Sequence, residues 1–510
     1  MSKKALATVL ALATCYFALL VAASINWRMM HDSTLYMYIA FLMDRFGMVP
    51  YRDIFDVNLP GTYLIYFLAG KLSGYEDFGF RLFDLAWLGA TLALTYAWLR
   101  PAGRYPAWAG AVGFGIAYLQ AGPLMSMQRD YFILLPIAVA LALQNADRRT
   151  LTRAVAAGIC LGFAALVKPY AVIFVLPVAA LNWSWWRGSA DRGRSPLAGI
   201  AAMAAGVALP ILLAALWLAK NQALAPLLGM IKNYYPLYGS IYENRIIFNP
   251  IQRLGILLEQ LRPMGGHALW LIPTGIGISL GLARSAGTAI RTLALTAVAL
   301  VLLAILYPML SAKFFYYHWL PLQYFAIAGA ALCLQEPAPE RDRIARLFPP
   351  LVFFAVLAVC AIPYKGLLKP ITGEKISTDK TRRADAIAHI LAPLMQPGDR
   401  VQPLDWTSGA VHAMLELRAR PATSFIYTSP FHHHVNNPYI LGLREKFMTE
   451  MKASRPRFVV RVDADRPWFV GPLTDMTFPV FDQYLADNYR EIARGEGFVI
   501  FERSSPAGGQ

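Results

Sequence analysis

Apolar and polar positions are organised on two different scales along this chain. Up to about residue 364 the apolar positions come in long runs, many of them approaching the ~20 residues that carry a helix across a bilayer. Eleven runs can be delimited, at about 5–25, 78–99, 105–121, 130–145, 154–167, 170–186, 196–219, 268–283, 292–309, 318–335 and 347–363. They predict a polytopic α-helical membrane protein with about 11 transmembrane helices. Two of the intervening connections are long, 27–77 and Asn221 to His267. In the first, Ser33 to Phe46 predicts an interfacial helix, and Gly61 to Leu72 a short apolar helix dipping into the bilayer. From about Lys365 the pattern changes. Helix-period segments alternate with short strand-like runs: Thr378 to Met395 then Arg400 to Leu404, and Gly409 to Leu417 then Thr423 to Tyr427. Ile440 to Met451 then Arg457 to Val462, and Phe481 to Ile492 then Gly497 to Glu502, continue it. This predicts a soluble α/β domain with a largely parallel sheet. The expected division is therefore 1–364, membrane, and 365–510, α/β.

Composition agrees with that division: 57% of residues are hydrophobic and 15% charged. The first run follows Lys3 and Lys4 and ends in Ala22-Ala23-Ser24, but it is long for a secretion signal and reads as a retained span. The cysteines Cys15, Cys160, Cys333 and Cys360 all fall in apolar runs without metal or redox spacing, so no structural disulfide is expected. The net charge of +16 suggests nucleic acid until its distribution is considered. Much of the excess sits in every second short loop: Arg100 and Arg104; Arg148, Arg149 and Arg153; Arg187, Arg192 and Arg194; Arg284 and Arg291; Arg341, Arg343 and Arg346. By the positive-inside rule those loops and the N-terminus are cytoplasmic. The odd number of spans then places the α/β domain outside, in the periplasm of a bacterial inner (plasma) membrane. A nucleic-acid partner is not expected.

The opposite face collects the carboxylates. Asp32, Asp44, Asp53 and Asp56 lie among aromatics in the first outer loop. Outside a bacterial inner membrane there is no ATP or nucleotide sugar, so an activated sugar arrives on a lipid such as polyprenyl phosphate. Phosphate is a good leaving group that needs cations to hold it, while the acceptor hydroxyl needs a carboxylate to take its proton. The cationic candidates on the same face are Arg129 (beside Asp130), Lys168, Lys313 and His318, with Tyr316, Tyr317 and Trp319 nearby. Each residue also has an ordinary reading. Asp32 can cap a helix beginning at Ser33, Asp53 and Asp56 can pair with Arg52 or cap turns, and Lys168 can snorkel. Arg81 and Asp84 are spaced as a structural ion pair. In His432-His433-His434, consecutive histidines rarely all face one ion. No cofactor is demanded by this chemistry, and a divalent metal is compatible with it.

An acid just after the first span, the segment Tyr51-Arg52-Asp53-Ile54-Phe55-Asp56 and Pro60 beyond it resemble the GT-C class of membrane glycosyltransferases. The nearest pattern is that of the protein O-mannosyltransferases and lipid A aminoarabinose transferases. Gln128-Arg129-Asp130, Val167-Lys168-Pro169 and the segment Tyr317 to Leu322 extend the resemblance across residues 1 to about 364. It implies Asp32 as catalytic base, Asp56 shaping the donor or acceptor site, and Arg129, Lys168 and His318 near the donor phosphate. Two positions depart from the pattern: Ser33 stands where relatives often carry a second acid, and Asn58-Leu59-Pro60 where they often carry Lys-Pro-Pro. The expected function is inverting transfer of a sugar from polyprenyl phosphate to a glycan, lipid or protein acceptor of the cell envelope. The substrate-binding set is Asp53, Asp56, Arg129, Asp130, Lys168, Lys313, Tyr317 and His318. The alternatives are a lipid-linked glycan flippase, and an oligosaccharide ligase or polymerase using a pyrophosphate-linked donor. The first is disfavoured by the lack of an internal repeat, the second by the small number of cations.

Overall fold

The computed structural model describes residues 2–144, 150–188, 195–242, 245–247, 249–261, 268–283, 286–336, 343–362, 378–464 and 473–504. Arg148, Arg149, Arg192, Arg194, Arg284 and Arg341 of the basic loops lie outside the described residues, as does the boundary expected near Lys365.

Each of the eleven apolar runs carries helix, but of uneven length. Among the described residues, four helices are long and apolar enough to cross a membrane: Lys3–Ser24, Asp77–Ala102, Pro196–Lys220 and Thr288–Ser311. Leu151–Val167, Pro169–Ser184, Leu271–Leu282 and Arg346–Cys360 are apolar but shorter. The fourth run is broken into Arg129–Phe132 and Leu134–Gln144. Pro136 explains the break, since it has no N–H to offer the Phe132 carbonyl and its ring crowds that group. In the second run, Arg81 and Asp84 are fully buried and pair on one helix face, with further hydrogen bonds to Ser24, Ser126 and Tyr118.

The helices Leu151–Val167 and Pro196–Lys220 pack through small residues. A Cβ on Gly158 would lie 2.1 Å from the Met203 carbonyl oxygen, and one on Gly206 2.2 Å from that of Val155. Only glycine permits this approach, which is how helices associate where lipid removes the hydrophobic incentive. In the first long loop, helices form at Asp32–Phe46 and at Pro60–Ser73, the second with proline at its first position. Gly61 rests on the Leu166–Val167 backbone, and Thr62 Oγ1 donates to the Val167 carbonyl at 3.2 Å. The loop is thereby fixed to the end of a bundle helix.

The carboxy-terminal part contains a five-stranded sheet: β1 (Arg400–Leu404), β2 (Arg420–Pro421), β3 (Phe458–Val462), β4 (Tyr489–Gly495) and β5 (Phe498–Arg503), in the order β2-β1-β3-β5-β4. Three sequence expectations are corrected here. The sheet is mixed rather than largely parallel: β2, β1 and β3 are parallel, whereas β5 runs antiparallel to both β3 and β4. The expected helix to Ile492 ends at Asn488, because Tyr489 begins a strand that turns tightly at Glu496-Gly497, with Gly497 at φ +76°, and returns as β5. Thr423–Tyr427 is also not a strand. The Ser424 and Phe425 N–H groups go to Glu450 Oε2 at 2.7 Å and Thr423 Oγ1 at 3.1 Å, and the Ser424 carbonyl accepts from Phe55 N at 2.8 Å. This stretch joins the sheet to the first long loop.

That junction has further contacts. Tyr38 Oη donates to the Ala419 carbonyl at 2.8 Å, and the helix Ala410–Glu416 packs on Asp32–Phe46. Arg28 reaches Asp77 at 2.7 Å, Asp385 at 2.8 Å and Glu416 at 2.5 Å, spanning both parts of the chain.

Candidate active site

Asp32 is the first residue of its helix rather than the cap of one starting at Ser33. His31, at φ 58° and ψ −129°, holds the cap position without a side-chain cap bond. The chain therefore reverses sharply at His31 and leaves the Asp32 carboxylate at the positive end of the helix, a favourable place for an anion. Its Oδ1 lies 2.9 Å from His31 Nδ1. Burial pushes this carboxyl up, but His31, Arg129 and Lys168 outweigh burial and hold it below the ordinary carboxylate range.

Asp56 is fully buried in the same loop. Its Oδ1 accepts from Asn58 N at 2.9 Å, from Asn58 Nδ2 and from Tyr63 Oη, while Oδ2 has no protein partner. Burial raises this carboxyl above its usual value despite those donors. Two acids thus sit in different environments, the pattern from which distinct roles arise.

The cations come from the ends of other helices. Lys168 ends the helix Leu151–Val167, where Pro169 starts a new turn. Its Nζ lies 3.1 Å from Asp130 Oδ2 and 3.1 Å from His318 Nε2. Asp130 Oδ1 accepts from Tyr307 Oη at 2.8 Å. His318 Nδ1 faces the Lys313 carbonyl and therefore carries the proton, leaving Nε2 to accept from Lys168. Lys313 Nζ donates to the Ile241 carbonyl and sits 4.3 Å from the centre of the Tyr238 ring. Burial and the neighbouring Arg129 lower Lys168 to about 8. Burial alone lowers Lys313 to about 7. Arg129 lies over Tyr36 at 5.4 Å, and its buried Nε has no protein partner.

These groups surround two adjoining cavities. The first, about 710 Å³, is lined by Asp32, Asp56, Tyr36, Arg129 and Tyr317. The second, about 640 Å³, is lined by Arg129, Lys168, Lys313, His318, Tyr170 and Tyr317. Arg129, Tyr317, Tyr238 and Val57 line both. Carboxylates face one chamber, buried cations the other, and Arg129 stands between them. A third cavity, apolar and about 1340 Å³, lies beyond Pro60 and Gly61 among Met48, Leu64, Phe67, Phe163, Leu213 and Trp217.

Of the residues singled out in the sequence, Asp32, Asp56, Arg129, Lys168, Lys313, Tyr317 and His318 are brought together. Asp130 lines neither chamber and lies buried behind Lys168 as its counter-charge. Asp53 also lines neither; it accepts from Val49 N at 2.8 Å and pairs with Arg52 at 2.7 Å, which tightens the loop. The three histidines turn to different partners: His432 to the Asp475 carbonyl, His433 to Thr474 Oγ1, and His434 to Ser240 Oγ and the Leu237 carbonyl. Among the described residues, Asp77, His412 and Glu416 bring potential metal ligands together, but the Arg28 guanidinium already spans Asp77 and Glu416.

Sequence reasoning missed the far wall of the first chamber. Trp406, Thr407, Tyr427 and Ser429 come from the carboxy-terminal part, and Tyr234 and Tyr238 from the second long loop. Asp405 forms this wall by accepting the N–H groups of Trp406, Ser408 and Val411 at 2.6, 2.8 and 3.2 Å. The spacing of Tyr234 and Tyr238, one helical turn apart with rings 6.0 Å apart, was the available signal.

No protein-family model matches the chain, and no curated protein sequence matches it. Solved structures do. ArnT from Cupriavidus metallidurans bound to undecaprenyl phosphate superposes with a TM-score of 0.58 at 13% identity, over 100% of both chains. Its apo state gives 0.59 at 14% identity, over 98% of each. An oligosaccharyltransferase of Archaeoglobus fulgidus matches more loosely, with a TM-score of 0.48 at 10% identity over 89% of this chain and 70% of that one. The ArnT likeness covers the helical and carboxy-terminal parts together, and the fold is that of the GT-C glycosyltransferases.

Proposed function

We propose that this protein is an inverting membrane glycosyltransferase that moves a sugar from polyprenyl phosphate to a cell-envelope acceptor on the periplasmic face of the inner membrane. The observation that carries this reading is the pair of adjoining chambers, acids in one and buried cations in the other, with Arg129 common to both. In this reading Arg129, Lys168 and Lys313 hold the donor phosphate and His318 orients Lys168. Asp32 faces the acceptor hydroxyl. The acceptor oxygen attacks the anomeric carbon, the bond from that carbon to the phosphate oxygen breaks, and the hydroxyl proton passes to Asp32. Polyprenyl phosphate leaves with the bonding electron pair, stabilised by fixed cations in a water-poor site. A single displacement with no enzyme nucleophile inverts the anomeric configuration. Asp56, with one carboxylate oxygen free of protein partners, is assigned to a sugar hydroxyl. The apolar cavity beside Gly61 takes the isoprenoid chain, being continuous in sequence with the second chamber through Val57–Gly61.

The test is reconstitution in proteoliposomes with undecaprenyl phosphate carrying a labelled sugar, together with an envelope glycan and glycolipid extract. Transfer of label to the extract, with inverted linkage, is expected. Movement of the labelled lipid between leaflets without any transfer would replace this reading with a flippase.

A further inference from the structure

The carboxy-terminal sheet has a cavity of its own, about 840 Å³. It lies at the carboxyl ends of the parallel strands β1 and β3, beside Leu404 of the first, Arg461 of the second and Asp463 just beyond it. In open α/β sheets this edge is where ligands settle. One side is aromatic: Phe431, Phe447, Phe478 and Phe481 form a cluster with ring centres 5.1 Å apart for Phe431–Phe447 and 5.3 Å for Phe447–Phe481. The other side is polar. Arg461, Asp463 and Asp482 stand at the cavity, and Thr428, buried at 3% exposure, lines it with an Oγ1 that has no protein partner.

We infer that this cavity is a saccharide subsite that holds a part of the acceptor glycan remote from the reacting sugar. The phenylalanine rings, packed on one another and nearly buried, give the cavity an apolar floor, and recognition falls to the polar side, where carboxylates, a guanidinium and a hydroxyl match hydroxyl groups that both donate and accept. Two carboxylates against one guanidinium disfavour a phosphorylated ligand, so the sugar is neutral or amino-substituted. The segment Tyr427–His432 links this subsite to the reaction. Tyr427 and Ser429 line the first catalytic chamber, whereas Thr428, Phe431 and His432 line this cavity, so one short stretch forms a wall of both. The acceptor role rests on the glycosyl-transfer reading; saccharide binding itself does not.

The experiment is saturation-transfer NMR on the full-length protein in detergent, with a panel of neutral and amino-sugar disaccharides and glucose 6-phosphate as the anionic probe. A neutral or amino disaccharide should bind wild type and Asp32→Asn equally. Binding should weaken at least about fivefold in Thr428→Val and in Asp482→Asn, two conservative changes, the second at an exposed position whose fold is checked by thermal melting. Glucose 6-phosphate should not compete. The inference is overturned if no disaccharide binds, if both variants bind like wild type, if glucose 6-phosphate competes, or if Asp32→Asn abolishes binding. Loss of sugar transfer alone bears only on the glycosyltransferase reading.

Discussion

Lys168 is buried, yet it has a carboxylate on one side and a neutral imidazole on the other. Burial brings Lys168 to about 8 and Lys313 to about 7, so both lose charge as pH rises through 7 to 8. If they hold the donor phosphate, kcat/KM for the donor falls above that range, by about tenfold per pH unit once one required cation is deprotonating. Lys168→Arg keeps its charge throughout, so its share of the alkaline limb should vanish at some cost in rate. The acid limb separates the two carboxylates. Asp32 is depressed and stays ionised below the usual range near pH 4. Activity that persists there fits Asp32 as base; a limb above that range would point to Asp56, which is raised. Asp130→Asn tests the counter-charge. It leaves Lys168 buried without its anion, a loss of about 3–5 kcal/mol if the charge is kept. Donor KM should therefore rise at pH 7 and recover as the pH is lowered and Lys168 regains its proton. Asp53, partly exposed, lining neither chamber and tied to Arg52, should tolerate Asn with little loss of turnover.

At the level of elements, the glycine contact between Leu151–Val167 and Pro196–Lys220 sets the position of Lys168, which sits at the end of the first of these helices. Gly206→Val drives side-chain atoms into the Val155 backbone, and overpacking of this kind costs about 1–3 kcal/mol. A lower melting temperature and a higher donor KM are expected together, measured in detergent and in proteoliposomes. Sequence pattern located the apolar runs well because their signal is local: twenty apolar residues need no partner to be recognised. It did not show the break after Phe132, although Pro136 was visible, and it could not pair Gly158 with Gly206, which are distant in the chain. The strand at Tyr489–Gly495 was hidden because Phe481–Ile492 has helix-compatible spacing throughout, and its identity comes from pairing with Phe498–Arg503.

Across the whole molecule, the first chamber exists only where the carboxy-terminal part meets the first long loop. Asp32 and Asp56 were recognisable in sequence because acids beside a membrane span stand out chemically. Trp406, Thr407, Tyr427 and Ser429 were not, since nothing local marks a loop of a mixed sheet as the wall of a distant site. The Arg28 cluster holds that wall in place. Arg28→Ala removes contacts to Asp77, Asp385 and Glu416 at once. It should raise hydrogen exchange at the helix Ala410–Glu416 and lower kcat, while binding of undecaprenyl phosphate to the cationic chamber is retained. The central claim, that Asp32 takes the proton of the acceptor hydroxyl, is tested most directly by sugar transfer from undecaprenyl phosphate with Asp32→Asn protein shown to be folded by its melting curve. Turnover reduced about 10²–10⁴-fold, with donor binding kept, is the predicted result; turnover close to wild type would contradict it.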